Sequence, residues 1–149
     1  MNNNIKKIFF FIAIIGWILG LTAHLLSFTG YTSPTFWLLH IGVFVVWFPA
    51  MICLVKETGK SMPELLNYFK SISAPKWLKI IVAVCFIYAF INFVLFASSF
   101  QISDEDSDML RGFSGHWMAF YGMATLILYP FGKGNNKKDG SATYVKNYK

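Results

Sequence analysis

The residues of this chain best suited to chemistry are its three histidines, His24, His40 and His116. Imidazole ligates zinc, copper, iron and haem iron, and it carries protons near neutral pH. Three imidazoles with an open fourth position suit a catalytic metal. Two of them can serve as axial ligands of one haem. Each of these histidines falls inside a long apolar segment, four or five residues from one end. At 1.5 Å rise per residue, that places all three roughly 6–8 Å below the same interface. Ionisable side chains in apolar spans are expensive, and they face a bundle interior or a wet cavity. Convergence on a haem or a transition metal therefore competes with a simpler account. In the simpler account, which is preferred, each ring hydrogen-bonds a neighbouring carbonyl, Ser or Asn and adds specificity to packing.

The surroundings of the histidines separate these accounts in part. Gly16, Gly20 and His24 repeat every four residues, so His24 shares a small-residue stripe of the kind that lets helices approach closely. Gly112, His116, Ala119 and Met123 fall on one face of the last segment. His40 shares a bulkier face with Phe36, Phe44 and Trp47. The third segment has no histidine but carries Cys85, Tyr88, Asn92 and Ser99 on one stripe, and Asn92 can bond toward the bundle centre. Within the segments no carboxylate is available to orient a ligand or act as a base. HExxH and CxxCH motifs are both missing. Ser114-Gly115-His116 is not a nucleophile elbow, and no catalytic residue is assigned.

Four apolar segments must position these side chains: about 8–28, 35–55, 77–100 and 112–131. Each is near the 20 residues that cross a bilayer. The 56% hydrophobic and 13% charged composition fits such a chain. Twelve of the thirteen basic residues flank the segments on one side. These are Lys6 and Lys7, then Lys56, Lys60, Lys70, Lys76 and Lys79, then Lys133, Lys137, Lys138, Lys146 and Lys149. Only Arg111 lies on the other side, where Asp108 at i−3 is its natural partner. Asp108 is also a candidate cap for the last span. The asymmetry predicts an all-α integral membrane protein, a four-transmembrane-helix bundle with both termini cytoplasmic. The net charge of +6 belongs to this pattern rather than to nucleic-acid binding. Trp37 and Trp117 are expected at the outer interface, Trp77 and Tyr129 at the inner one.

The first segment follows Lys6-Lys7 as a secretory signal would. It is too long for one, however, and no A-x-A-like site follows, so it reads as an uncleaved span. Between the second and third segments, Ser61-Met62-Pro63-Glu64 reads as a capping box with proline in the first turn. It opens a short amphipathic interfacial helix over about 62–72, whose apolar face holds Leu65, Leu66, Phe69 and Ile72. The acidic loop Ser103–Asp108 lacks the EF-hand spacing and reads as solvated. Residues 132–149 form a basic, Gly- and Asn-rich tail expected to be disordered.

The membrane domain is thus expected to span residues 1–131. The expected function is a non-enzymatic accessory or interaction subunit. Its partner would be another membrane protein or further copies of the chain, in a bilayer whose compositional bias suggests a bacterial inner membrane. A haem- or metal-binding module built on His24, His40 and His116 is the alternative. A small transporter or channel subunit is the weaker one, since nothing ionisable lies near the midplane.

Overall fold

The structure, a computed structural model, describes residues 1–58, 62–99 and 106–132, and those residues are helical apart from short connections. Helix α1 runs over Asn3–Ser27, α2 over Trp37–Thr58, α3 over Met62–Ser71, α4 over Lys76–Ser99 and α5 over Asp106–Gly132. A single 3₁₀ turn at Pro34–Phe36 leads into α2. Gly30 takes φ 75° in the preceding turn, a left-handed conformation that glycine adopts without penalty. The Asn2 side chain accepts from the Asn4 N–H and caps α1.

Three helical stretches among the described residues are long and apolar enough to cross a membrane: Asn3–Ser27, Pro34–Lys56 and Lys76–Leu95. The fourth expected span, α5, is the longest helix at 27 residues but is not among them. Its composition matches its place at the centre of the fold. It packs against α1, α4 and α2, and it carries buried Ser114 and Thr125 as well as apolar core residues. A helix shielded by its neighbours does not need the apolar perimeter that a lipid-facing helix needs. It also begins earlier than expected, so Asp108 lies inside its first turn rather than capping it.

The register of α5 against its neighbours runs through specific pairs. Along α1, Phe10 meets Gly132, Trp17 meets Gly122, Gly20 meets Met118 and Ser27 meets Arg111, so the two helices are antiparallel. Along α4, Leu78 and Val82 cluster with Leu126, Ala89 meets Gly115 and Asn92 reaches the Arg111 carbonyl, so α4 is also antiparallel to α5. Trp37, His40 and Trp47 of α2 meet Phe113, Trp117 and Phe120 in the same order, so α2 runs parallel to α5. At the Lys6 end, the ammonium sits 3.9 Å from the Phe131 ring centroid.

The core is built where small residues admit large ones. The Tyr121 ring fills the space over Gly16, and its hydroxyl lies against Gly42. Trp117, only 1% exposed, is in the core rather than at the outer interface, because α5 is covered by α1 and α2 at that level. Trp77 is 60% exposed at the opposite end. Ile72, just beyond α3, joins Leu78, Val82 and Leu126 in a second buried cluster, against which Tyr68 and Phe69 pack. Lys79 Nζ donates to the Lys70 carbonyl at 2.9 Å and so satisfies a C-terminal carbonyl of α3. Ser61, residues 103–105 of the acidic loop and the tail beyond 132 lie outside the described residues.

Candidate functional site

The histidines occupy one layer of the fold. Their side-chain contacts on α5 cluster within residues 112–117: His24 on Ser114, His40 on Phe113 and Trp117, and His116 on Gly112. They point to different sides of α5, however. Among the described residues, no three His, Cys, Asp or Glu side chains gather as a metal site requires. The three must therefore be taken one at a time.

His24 lies in a chain of polar side chains that links three helices. It is 3% exposed. Its Nδ1 is 2.8 Å from Ser114 Oγ, and its Nε2 is 2.6 Å from the Tyr88 hydroxyl. Ser114 donates its own proton to the Arg111 carbonyl at 3.2 Å. The remaining directions follow from donor counting. Ser114 accepts from Nδ1–H, and Nε2 accepts from Tyr88 O–H. Asn92 Nδ2 donates to the same Arg111 carbonyl at 3.0 Å. Thus Tyr88 and Asn92 of α4, His24 of α1, and Ser114 and Arg111 of α5 form one network.

At the C-terminal end of α1 the network meets the side chain of the single arginine. Arg111 pairs with Asp108 at 3.5 Å, donates to the Ser27 carbonyl at 3.5 Å, and stacks 4.5 Å from the Phe28 ring centroid. Its Nε is buried without a partner. Ser27 Oγ donates to the His24 carbonyl at 2.6 Å. The Arg111 contacts with Ser27 and Phe28 tie the C-terminal end of α1 to the N-terminal part of α5, while the Asp108 pair and the Ser27 Oγ bond lie within one helix each.

His40 accepts from Trp117 Nε1 at 3.0 Å through Nδ1. Its proton is therefore on Nε2. The ring sits edge-on among Trp37, Phe44 and Phe113. His116 differs from both. Its Nδ1 is 3.0 Å from the Gly112 carbonyl, one turn back on the same helix. A carbonyl only accepts, so Nδ1 carries the proton and Nε2 is basic. The Phe93 ring of α4 stands edge-on to it with centroids 4.8 Å apart.

Gly16 and Gly20 both face α5, and Gly112 and Ala119 are buried on it. Ser114 is fully buried and spends its proton on a carbonyl, so the Ser114–His24 pair is closed to a substrate. A cleft of about 350 Å³ opens between Thr32, Ser33, Pro34, Trp37, Met109 and Leu110, and no histidine lines it. The Ser114 and Gly112 carbonyl partners are of the types expected for packing histidines, whereas the Trp117 indole is not. The signal for Ser114 was available, since it stands at a buried polar position of α5 level with His24. When the chain is compared with protein-family models, with curated proteins and with solved structures, none matches.

Proposed function

We propose that the chain is an integral membrane protein of four spans with both termini on the cytoplasmic side. In this reading α3 lies at the inner interface, and the bilayer is a bacterial inner membrane. Its role is that of a non-enzymatic accessory subunit, packing on a larger membrane protein or on further copies of itself. The lysines at the Lys6 end of the helices and the single Arg111 at the other end support the orientation. The half-buried Tyr68 and Phe69 of α3, beside Lys70, suit a helix lying at the boundary of the hydrocarbon.

The accessory role is carried by how the interior polar groups are used. Both ring nitrogens of His24, the hydroxyls of Ser114 and Tyr121 and the amide of Asn92 are spent on holding helices together. Such bonds specify one arrangement of a bundle in lipid. What remains available is the outside. On α4 a narrow buried stripe runs through Leu78, Val82 and Ala89, while Ile80, Ile87, Phe90, Ile91 and Leu95 are all more than half exposed.

Photo-cross-linking in native membranes tests this. A benzophenone side chain would be placed at Ile87 or Ile91 of α4, and at Ile18 of α1 as a control. Discrete protein adducts of defined mass from α4 are expected, and their mass distinguishes a second copy from another protein. Lipid adducts alone, from every position, overturn the accessory reading.

A further inference from the structure

Lysines gather where α3 hands over to α4. Residues 67–79 hold Lys70, Lys76 and Lys79 and no acidic residue. Packing fixes this junction. Ile72 and Leu78 are buried together with Val82 and Leu126. The Pro75 carbonyl accepts from the Leu78 and Lys79 N–H groups at 3.1 and 3.3 Å. Half-buried Lys79 reaches back to α3 and donates to the Lys70 carbonyl at 2.9 Å. An ammonium carries three protons, so this bond leaves donors to spare. Lys76 stands one turn before Lys79 on α4, and the side chains of Lys70 and Lys76 are exposed.

What lies beyond Lys76 selects the ligand. Ile80 and Val84, at i+4 and i+8 from Lys76, continue the same face of α4 and are 62% and 59% exposed. A soluble anion would use the ammonium groups and leave this apolar strip idle. A phospholipid uses both, with its phosphate on the lysines and an acyl chain along the strip. The exposed Trp77 indole, beside Lys76, suits the boundary between the two. The headgroup must carry net negative charge. A zwitterionic headgroup brings its own cation, which the three lysines repel and which meets no carboxylate in residues 67–79.

We propose that the junction of α3 and α4 binds an anionic phospholipid, its phosphate held by Lys70, Lys76 and Lys79 and an acyl chain lying along Ile80 and Val84. The inference rests on the proposed placement of α3 at the inner interface. It is independent of the accessory role, since Ile87 and Ile91 lie further along α4 and stay available for a protein contact.

The test is titration of the purified full-length chain, in mild detergent, with phosphatidylglycerol or phosphatidylcholine, with bound lipids counted by native mass spectrometry. The first phosphatidylglycerol should bind at least ~5-fold tighter than the first phosphatidylcholine, the scale set by one lysine at an anionic surface. Lys70→Gln/Lys76→Gln, folded as judged by circular dichroism, should lose that preference. Lys70→Arg/Lys76→Arg should keep it, as should Lys6→Gln/Lys7→Gln, which removes the same charge from α1. Equal loss in the two glutamine pairs would show attraction by net charge alone and overturn the site. No preference in the wild type, or displacement of the lipid by millimolar inorganic phosphate, would overturn the lipid assignment. The placement of the junction is read separately, from labelling of Ser73→Cys by a membrane-impermeant maleimide in opened vesicles, with the unsubstituted chain as background. Labelling without a preference for phosphatidylglycerol overturns the site alone. Absence of labelling overturns the placement, and the site with it.

Discussion

The Tyr121 hydroxyl of α5 donates to the Leu39 carbonyl of α2 at 2.9 Å, and it arrives there because Gly42 presents no side chain in its path. A methyl group on Gly42 would overlap that hydroxyl but would stand 3.6 Å from the ring carbon that bears it, an ordinary contact. Tyr121→Phe should therefore cost only about 0.5–1 kcal/mol, the worth of one interhelical hydrogen bond. Gly42→Ala should cost more in the wild type. In a Tyr121→Phe background it should be close to neutral, because the obstacle has gone. Thermal unfolding of the two single variants and the double variant in one detergent measures this coupling. Simple additivity would contradict the contact.

Gly16 and Gly20 share a stripe but not a constraint. A Cβ on Gly16 would overlap the Tyr121 ring, whereas one on Gly20 would stand 3.6 Å from Met118 N and Trp117 Cβ. Gly16→Ala should lower the melting temperature, and Gly20→Ala should leave it unchanged or raise it, since alanine favours the helix by about 1 kcal/mol. Gly20→Leu has no such room. It should disrupt the bundle more than Leu21→Ala, because Leu21 is 47% exposed. Equal melting of Gly16→Ala and Gly20→Ala would place Tyr121 elsewhere.

These contacts bear on what could be read in the chain before its fold was known. The apolar blocks and the lysines between them indicate helices, and α1, α2 and α4 begin and end within a few residues of that reading, α1 excepted at its N-terminus. The spacing of Cys85, Tyr88 and Asn92 likewise marks the side of α4 that carries polar contacts. Which helix sits in the middle was not legible. Hydropathy marks α5 as the least membrane-like of the long helices, yet it is the most enclosed, because burial by protein and burial by lipid make different demands on a surface. The tautomers of the three histidines were also hidden. They depend on whether the partner is a hydroxyl, an indole or a carbonyl, and only the packing reveals that.

The chain of bonds from Tyr88 through His24 to Ser114 should behave as a unit. Ser114→Ala removes the acceptor of a buried Nδ1–H and strands that donor, at a cost of about 1–3 kcal/mol. Tyr88→Phe should cost less, since Tyr88 is 38% exposed and leaves only an acceptor behind. Once His24 is replaced by alanine, adding Ser114→Ala should cost little more, because the stranded donor has already been removed. A double-mutant cycle for His24 and Ser114, read by denaturation in detergent, is the measurement. A coupling near zero would mean that the 2.8 Å contact holds nothing together.

The central position of α5 makes a prediction about existing tryptophans. Trp117 is 1% exposed and enclosed by α1 and α2, while Trp77 on α4 is 60% exposed. Acyl-chain bromines quench indoles only at close approach, so enclosure should decide the outcome. Variants retaining only Trp117 or only Trp77, with phenylalanine at the other tryptophan positions, would be reconstituted in bilayers of brominated lipid after their folding is checked by melting. Trp77 fluorescence should fall strongly and Trp117 fluorescence should barely change. Strong quenching of Trp117 would mean that lipid reaches the face of α5 that this fold seals. In that case the Trp117–His40 bond and the Tyr121 contact would both have to be abandoned, and α5 would be a peripheral helix.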